Sequence, residues 1–114
     1  MYLGIDVGTS GVKAIKLDDA GAVVAQSTAA LPISRPQPLW SEQDPSDWWR
    51  ATCVAVQRLP EESRRKIEAI GLAGQMHGGT VLDESDTVIR PAILWNDGRS
   101  ARECTQLETV CTDL

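Results

Sequence analysis

The first 31 residues contain three strand-like runs joined by short turns, and this pattern restricts how the fold can begin. The runs are 2–7, 12–17 and 22–31, and Val, Ile, Leu and Ala dominate them. Residues 8–11 join the first pair, and the DDAG turn at 18–21 joins the second. Such short connections join antiparallel strands, whereas a parallel βαβ unit needs a helix between its strands. The sequence therefore predicts an antiparallel three-strand meander within an α/β fold.

The first candidate functional site is Asp6 together with the loop that follows it. Asp6 interrupts an otherwise apolar strand, and the loop after it reads Gly8, Thr9, Ser10, Gly11. Glycines allow close backbone approach, and N–H groups in such a turn point towards anions. A carboxylate beside them suits a divalent metal held partly through water, while the two hydroxyls and Lys13 add donors and charge. An ordinary hairpin turn with a solvent-facing acid explains the same residues equally well.

The middle of the chain predicts a linker, a helix and a further strand. Residues 32–43 contain three prolines and are typical of an extended linker. Asp44 is a suitable N-cap and Pro45 suits the first helical position, so a helix is expected to run to about Leu59. Its expected apolar stripe consists of Trp48, Trp49, Thr52, Cys53, Val56 and Leu59. The small apolar residues 67–74 predict a strand.

A second helix is expected to begin near Asp97, which is a plausible N-cap. The apolar residues that follow it recur at helical spacing, and they are Ala101, Cys104, Leu107, Val110 or Cys111, and Leu114. The helix reaches Leu114 without a glycine or proline stop signal. We therefore expect residues 1–114 to be the N-terminal part of a longer protein.

Charge and composition exclude several classes of partner. The net charge is −5 with no basic stripe, so we expect no nucleic-acid binding. No apolar run approaches the roughly 18 residues of a membrane span, and Asp6 interrupts what would be the core of a signal peptide. The three cysteines show no CxxC spacing, which favours packing over a zinc site. These features predict a cytoplasmic protein.

Four motifs resemble those of one protein family. The stretch GIDVGTSGVKAI resembles the first phosphate-binding hairpin of the actin, Hsp70 and hexokinase ATPase superfamily, and more narrowly that of the FGGY carbohydrate kinases. The stretches at 38–49, 71–79 and 90–99 resemble the branch of that family that phosphorylates D-xylulose. The resemblance implies a ribonuclease H-like mixed sheet, ATP and Mg²⁺ as cofactors, and phosphoryl transfer from ATP to D-xylulose.

The resemblance also implies roles for individual residues. Asp6 corresponds to the acid near the metal and the transferred phosphate. The residues expected to face the ATP phosphates are Gly8, Thr9, Ser10, Gly11 and Lys13. The residues expected at the sugar are Met76 and His77, with Trp95 and Asp97 as secondary candidates. Glycerol kinases carry Arg-Glu in place of the Met-His pair, which argues against glycerol as the substrate.

Three structural alternatives and two functional ones remain open at this point. A lone histidine such as His77 is often structural or merely exposed, Trp95 can end a core strand, and Asp97 can simply cap a helix. The resemblance implies that the family's general base and its adenosine-binding domain lie beyond the part that these 114 residues match. One functional alternative is that the chain belongs to another FGGY sugar kinase. The other is that it is an inactive isolated domain that self-associates through uncovered apolar surface.

Overall fold

The structure is a computed structural model that describes residues 1–111, except for the side chain of Ser63. Among these residues the strands are β1 (Tyr2–Val7), β2 (Gly11–Leu17), β3 (Val23–Ala30), β4 (Glu42–Gln43), β5 (Ala69–Gly74) and β6 (Ala92–Ile93). The helices are α1 (Pro45–Gln57), α2 (Glu61–Arg64) and α3 (Ala101–Val110). The predicted α/β class is confirmed.

The main sheet is mixed and has the strand order β3-β2-β1-β5. Strand β2 pairs antiparallel with both β1 and β3, whereas β5 pairs parallel with β1. Val7 lies opposite Gly74, so β1 and β5 end at the same edge of the sheet. Because β2 begins at that edge too, the 8–11 hairpin and the residues after Gly74 are neighbours in space.

The core lies between one face of this sheet and α1. Alternate residues of β1 and β2 point into it, including Leu3, Ile5 and Val12, as the period of a strand requires. From α1, Ala51 and Ala55 are fully enclosed. The opposite face of the sheet carries Asp6 and Lys13, whose side chains are exposed. Helix α1 therefore packs on the face opposite Asp6 and Lys13 and leaves the candidate site accessible.

The start of α1 was predicted correctly, but part of its apolar stripe was not. Asp44 is the N-cap, and its carboxylate accepts a hydrogen bond from the backbone N–H of Ser46 at 2.8 Å. The buried face runs through Ala51 and Ala55, whereas Trp49 is 72% exposed. Small alanines allow the helix to approach the sheet closely, which a bulky indole at the same contact would prevent. The spacing of the large apolar residues therefore did not predict that Ala51 and Ala55 are the buried residues of α1.

The predicted linker 32–43 contains a strand that the sequence analysis missed. β4 pairs antiparallel with β6, so Glu42 lies opposite Ile93 and Gln43 opposite Ala92. An isolated bridge between Ser34 and Glu42 extends this second sheet. The proline-rich segment is consequently fixed against the region after β5 and does not run freely over the surface.

The last helix differs from its prediction in where it begins and in how exposed its apolar residues are. It begins at Ala101, with Ser100 as the N-cap residue, so the assignment of Asp97 as N-cap was wrong. The reason is that the Asp97 carboxylate binds elsewhere, as described below. Every residue of α3 is exposed, so its apolar residues form no buried face in the described part of the chain. Leu114, the last member of the expected stripe, lies outside the described residues.

Within residues 1–111, the helices are too short or too polar to cross a membrane.

Candidate active site

The turn between β1 and β2 is closed tightly by its own backbone. The N–H of Gly8 donates to the carbonyl of Gly11 at 3.0 Å. A Cβ atom on Gly11 would lie 2.8 Å from the carbonyl oxygen of Ala29, which is too close for any side chain. Glycine is therefore required at residue 11 by the neighbouring strand. Ser10, at the tip of the turn, is exposed.

Asp6 and Lys13 lie side by side on the open face of the sheet. They are register partners across the β1–β2 pair, so their side chains emerge on the same face. Both line an open depression of about 340 Å³, and its other lining residues include Gly4, Ile15, Gly71 and Ala73. The β5 residue paired with Asp6 is the small Ala73, and the Asp6 carboxylate is exposed on this face.

The arrangement suits a metal held by few protein ligands. Within residues 1–111, no cluster of three or more His, Cys, Asp or Glu side chains could hold a metal ion. Mg²⁺ usually keeps several waters and binds through one or two carboxylates together with substrate phosphates. The single accessible carboxylate of Asp6 fits this mode of coordination. Asp6 would hold the ion only in combination with a phosphate ligand.

Thr9 connects the hairpin to two other parts of the site. Its hydroxyl donates to Oε1 of Gln75 at 3.0 Å and accepts from the indole N–H of Trp95 at 3.0 Å. The single hydroxyl hydrogen of Thr9 is thus used within the protein. The Thr9 hydroxyl was expected as a donor to phosphate, but here it donates to Gln75, so a contact of Thr9 with phosphate would have to come from its backbone N–H.

Gln43 is a component of the site that the sequence analysis missed. It is 1% exposed, and its Nε2 donates to the carbonyls of Thr9 (2.6 Å) and Pro32 (3.2 Å). Its Oε1 accepts from the indole of Trp48 (2.9 Å) and from Nε2 of Gln75 (3.0 Å). In the sequence, Gln43 lies directly before the N-cap of α1 and within the 38–49 motif, and neither position indicates burial.

Met76 and His77 follow the end of β5 and are exposed. The chain is fixed just before them, because the N–H of Gln75 donates to the carbonyl of Val7 at 2.9 Å. His77 has a φ of 62°, in the left-handed region that non-glycine residues seldom adopt. Such strain persists only where the surrounding structure enforces it, and it is common at functional sites.

Asp97 has a structural environment that differs from the expected one at the sugar. Its side chain is 1% exposed, and Oδ2 accepts from the N–H of Ser41 and from Nη2 of Arg99, both at 2.6 Å. Oδ1 accepts from the backbone N–H (2.9 Å) and Nε (2.8 Å) of Arg99. These four bonds use the lone pairs of both oxygens. In this structure Asp97 is thus bonded to Ser41 and Arg99, and its expected contact with the sugar stays a prediction.

Arg99 extends this cluster to the segment before α1. Its Nη1 donates to Glu42 at 2.8 Å, and its guanidinium lies 3.7 Å from the centre of the Trp40 ring. The guanidinium group of Arg99 is planar, so it can donate several hydrogen bonds in its plane and stack on the Trp40 ring, which a lysine ammonium cannot do. The cluster joins the loop after β6 to β4 and thereby fixes the base of the loop that carries Trp95.

We expect Asp97→Asn to destabilise the chain in a pH-dependent way. Hydrogen bonds from the Arg99 side chain hold the pKa of Asp97 well below its ordinary value. A lowered folded-state pKa gives stability above the unfolded pKa, about 3.9, that is lost as pH falls below it. The urea midpoint of the variant should therefore lie below that of the parent at pH 6, and the gap should shrink below pH 4.

Comparing the urea midpoints of Asp97→Asn and the parent removes the contribution of other acidic residues to the pH dependence. The pKa of Asp44 is also lowered, by the backbone N–H of Ser46, so both proteins lose stability in the same acidic range. Only the difference between their midpoints reports on Asp97. A difference that stays constant from pH 6 to pH 3 would contradict the ionic role.

Comparison with known proteins places the chain in a family. A model of the N-terminal domain of the FGGY family of carbohydrate kinases matches residues 1–113, and the chain belongs to that family. The resemblance inferred from the four motifs is thus confirmed.

Several of the similar proteins are xylulose kinases. The chain is 60% identical over 109 residues to the xylulose kinase of Escherichia coli (strain K12), covering 95% of this chain and 22% of that protein. The crystal structure of a xyloylose kinase from Brucella ovis matches with a TM-score of 0.93 and 48% identity, covering 97% of this chain and 24% of that one. The xylulose kinase from Rhodospirillum rubrum matches with a TM-score of 0.88 and 28% identity, covering 96% and 23%. The chain thus spans less than a quarter of the length of each.

Proposed function

We propose that this chain forms the N-terminal part of an ATP-dependent kinase that converts D-xylulose to D-xylulose 5-phosphate. The observation that carries the proposal is its identity to the Escherichia coli xylulose kinase over 109 residues. The geometry supports it, because the hairpin and the Met76–His77 segment lie at one edge of the sheet, where two substrates can meet. A cytoplasmic location, expected from the sequence, fits this activity.

On the nucleotide side, the hairpin and the open face would bind the phosphates and their metal. Backbone N–H groups of residues 8–11 would face the phosphate oxygens, and Lys13 would contribute positive charge. Asp6 would hold Mg²⁺ through water, and the ion, when bound with ATP, would neutralise charge on the phosphates. Phosphoryl transfer depends mostly on such positioning and charge neutralisation.

On the sugar side, Met76 and His77 would contact the ketose. Trp95 is 58% exposed although its indole N–H is bonded to Thr9, so the ring is fixed at its edge and remains accessible. A fixed aromatic face suits the apolar C–H face of a sugar. The general base that deprotonates the attacking hydroxyl is expected outside these 114 residues.

The proposal is tested in a chimeric kinase, defined as the Escherichia coli xylulose kinase with its matching N-terminal segment replaced by this chain. We expect kcat/KM for D-xylulose within about tenfold of the parent enzyme, because substitutions away from reacting groups mostly change rates modestly. The measurement is ADP release coupled to NADH oxidation, with D-xylulose, another pentulose and a polyol. A folded chimera without xylulose activity would contradict the proposal. Preference for another substrate would favour a different FGGY sugar kinase.

Replacing His77 is expected to affect sugar use selectively. In the chimeric kinase, His77→Ala should lower kcat/KM for D-xylulose by roughly tenfold to a hundredfold, as for the loss of one well-placed hydrogen bond of about 1–3 kcal/mol. KM for ATP should change less than about twofold.

The backbone of His77 requires a second variant. Because its φ is 62°, alanine adds strain, whereas asparagine tolerates this conformation. His77→Asn should therefore show the same loss of sugar use with less loss of stability. Full activity in His77→Asn would show that the backbone, and not the imidazole, matters.

A further inference from the structure

We propose that Gln43 is a positioning residue that locks the 8–11 hairpin against the segment carrying Met76 and His77. This inference rests on the proposed function for its effect on catalysis. The contacts of Gln43 stand independently of that function. Its four hydrogen bonds go to Thr9, Pro32, Trp48 and Gln75, so its effect on the predicted phosphate and sugar residues passes through Thr9 and Gln75.

The hydrogen-bonding capacity of the Gln43 side chain is used completely. Its two N–H donors bind the carbonyls of Thr9 and Pro32, and its oxygen binds N–H groups of Trp48 and Gln75. The orientation of the amide follows from chemistry, because a backbone carbonyl can only accept and an indole N–H can only donate. A primary amide is therefore the group that satisfies all four partners at once.

Two of these bonds, together with the bond between Thr9 and Gln75, close a ring between distant parts of the chain. Gln43 holds the carbonyl of Thr9, the hydroxyl of Thr9 donates to Gln75, and Nε2 of Gln75 returns to the oxygen of Gln43. Since Gln75 immediately precedes Met76, a shift of the hairpin relative to Gln43 is passed to the predicted sugar residues. Trp95 joins the ring through the same hydroxyl of Thr9.

Burial makes the ring sensitive to small chemical changes. Gln43 is 1% exposed, so partners that lose it cannot simply be solvated. Gln43→Met keeps the length of the side chain but removes all four hydrogen bonds. Gln43→Glu keeps an acceptor for Trp48 and Gln75 but places a carboxylate against two carbonyl oxygens. Gln26 on β3 is exposed, and Gln26→Met provides the matched control.

The first readout is hydrogen exchange in the chimeric kinase. In Gln43→Met and Gln43→Glu we expect faster amide exchange both in peptides covering 8–11 and in peptides covering 75–79, with no such change in Gln26→Met. This measurement needs no turnover, so it tests the ring even if the chimera fails to phosphorylate D-xylulose. Acceleration confined to residues 42–48, next to the substitution, would overturn the proposal.

The second readout is the division of the kinetic effect between kcat and KM. Misplacement of reacting groups by about 1 Å can cost roughly a hundredfold in rate. We expect kcat of the Gln43 variants to fall at least tenfold, with KM for ATP and for D-xylulose changed much less, at temperatures where the variants are folded. Unchanged kcat per folded molecule would overturn the positioning role.

A second pair of variants covers the case in which Gln43 variants do not fold. Thr9→Val removes the hydroxyl of the ring but keeps the carbonyl that Gln43 binds, whereas Thr9→Ser keeps both. We expect Thr9→Val to accelerate exchange at 75–79 and Thr9→Ser to restore the parent pattern. Equal exchange in Thr9→Val and Thr9→Ser would overturn the coupling between the two segments.

Discussion

Replacing Asp6 by alanine in the chimeric kinase is expected to lower kcat about a hundredfold or more. Loss of a preorganised charge at a transferring group costs about 3 kcal/mol, which corresponds to that factor. The Asp6 side chain is exposed on the open face, so the substitution should leave the unfolding temperature nearly unchanged. Steady-state ADP release at saturating ATP and D-xylulose measures the effect.

Two further variants separate charge from fold. Asp6→Asn keeps the shape of the side chain and removes its charge, so it should be impaired nearly as strongly as Asp6→Ala if the carboxylate serves the metal. Asp19 is an exposed acid that pairs with the amino terminus far from the hairpin, and Asp19→Ala should retain normal kcat. Near-normal kcat in Asp6→Ala would remove this residue from the catalytic role.

The second large effect is expected for the 114-residue chain by itself, which we predict to be inactive. Phosphoryl transfer needs an oriented nucleophile, a metal-bridged ATP and a site that excludes water. This chain offers one open wall, and relatives are more than four times its length. Affinity for ATP or D-xylulose should be millimolar at best, about −4 kcal/mol. ADP release should equal a blank without protein.

The same chain is expected to self-associate. Leu72 on β5 is 77% exposed, and an open apolar depression of about 480 Å³ between α1 and β5 is lined by residues that include Leu3, Trp49, Val56 and Ile70. Apolar surface of this kind promotes association. Light scattering should detect a dimer or larger species, and Leu72→Lys should shift it towards monomer. The prediction of inactivity, in turn, would be overturned by xylulose-dependent ADP release from the 114-residue chain that disappears with Asp6→Ala.

The first three strands and the first helix were predictable because their signals are local. Apolar runs and turn residues define β1, β2 and β3, and the Asp44-Pro45 pair defines the start of α1. The parallel pairing of β5 with β1 was not predictable, because alternation shows that a strand exists but not which neighbour it takes. The exposure of Trp49 was missed for a similar reason, since it depends on which face of α1 meets the sheet.

The site was predictable where the motif is contiguous and unpredictable where contacts are long-range. The hairpin and the Met76–His77 pair are short runs that carry a family resemblance. The bond between Trp95 and Thr9 joins residues 86 apart in sequence, and that between Gln75 and Gln43 joins residues 32 apart. The bonds of Asp97 to Ser41 and Arg99 were not predictable, because a carboxylate at a strand end looks the same in sequence whether it faces a ligand or an arginine.

The bond from the Trp95 indole to the hairpin has an optical consequence. Indole emission depends on the polarity and hydrogen bonding of the ring, and Trp95 combines an exposed ring with a fixed N–H partner on Thr9. An anion bound against the hairpin, as proposed, would alter the electric field at that partner, and a sugar bound on the ring would change the polarity of its surroundings. The chain therefore carries its own fluorophore at the junction of the two proposed substrates.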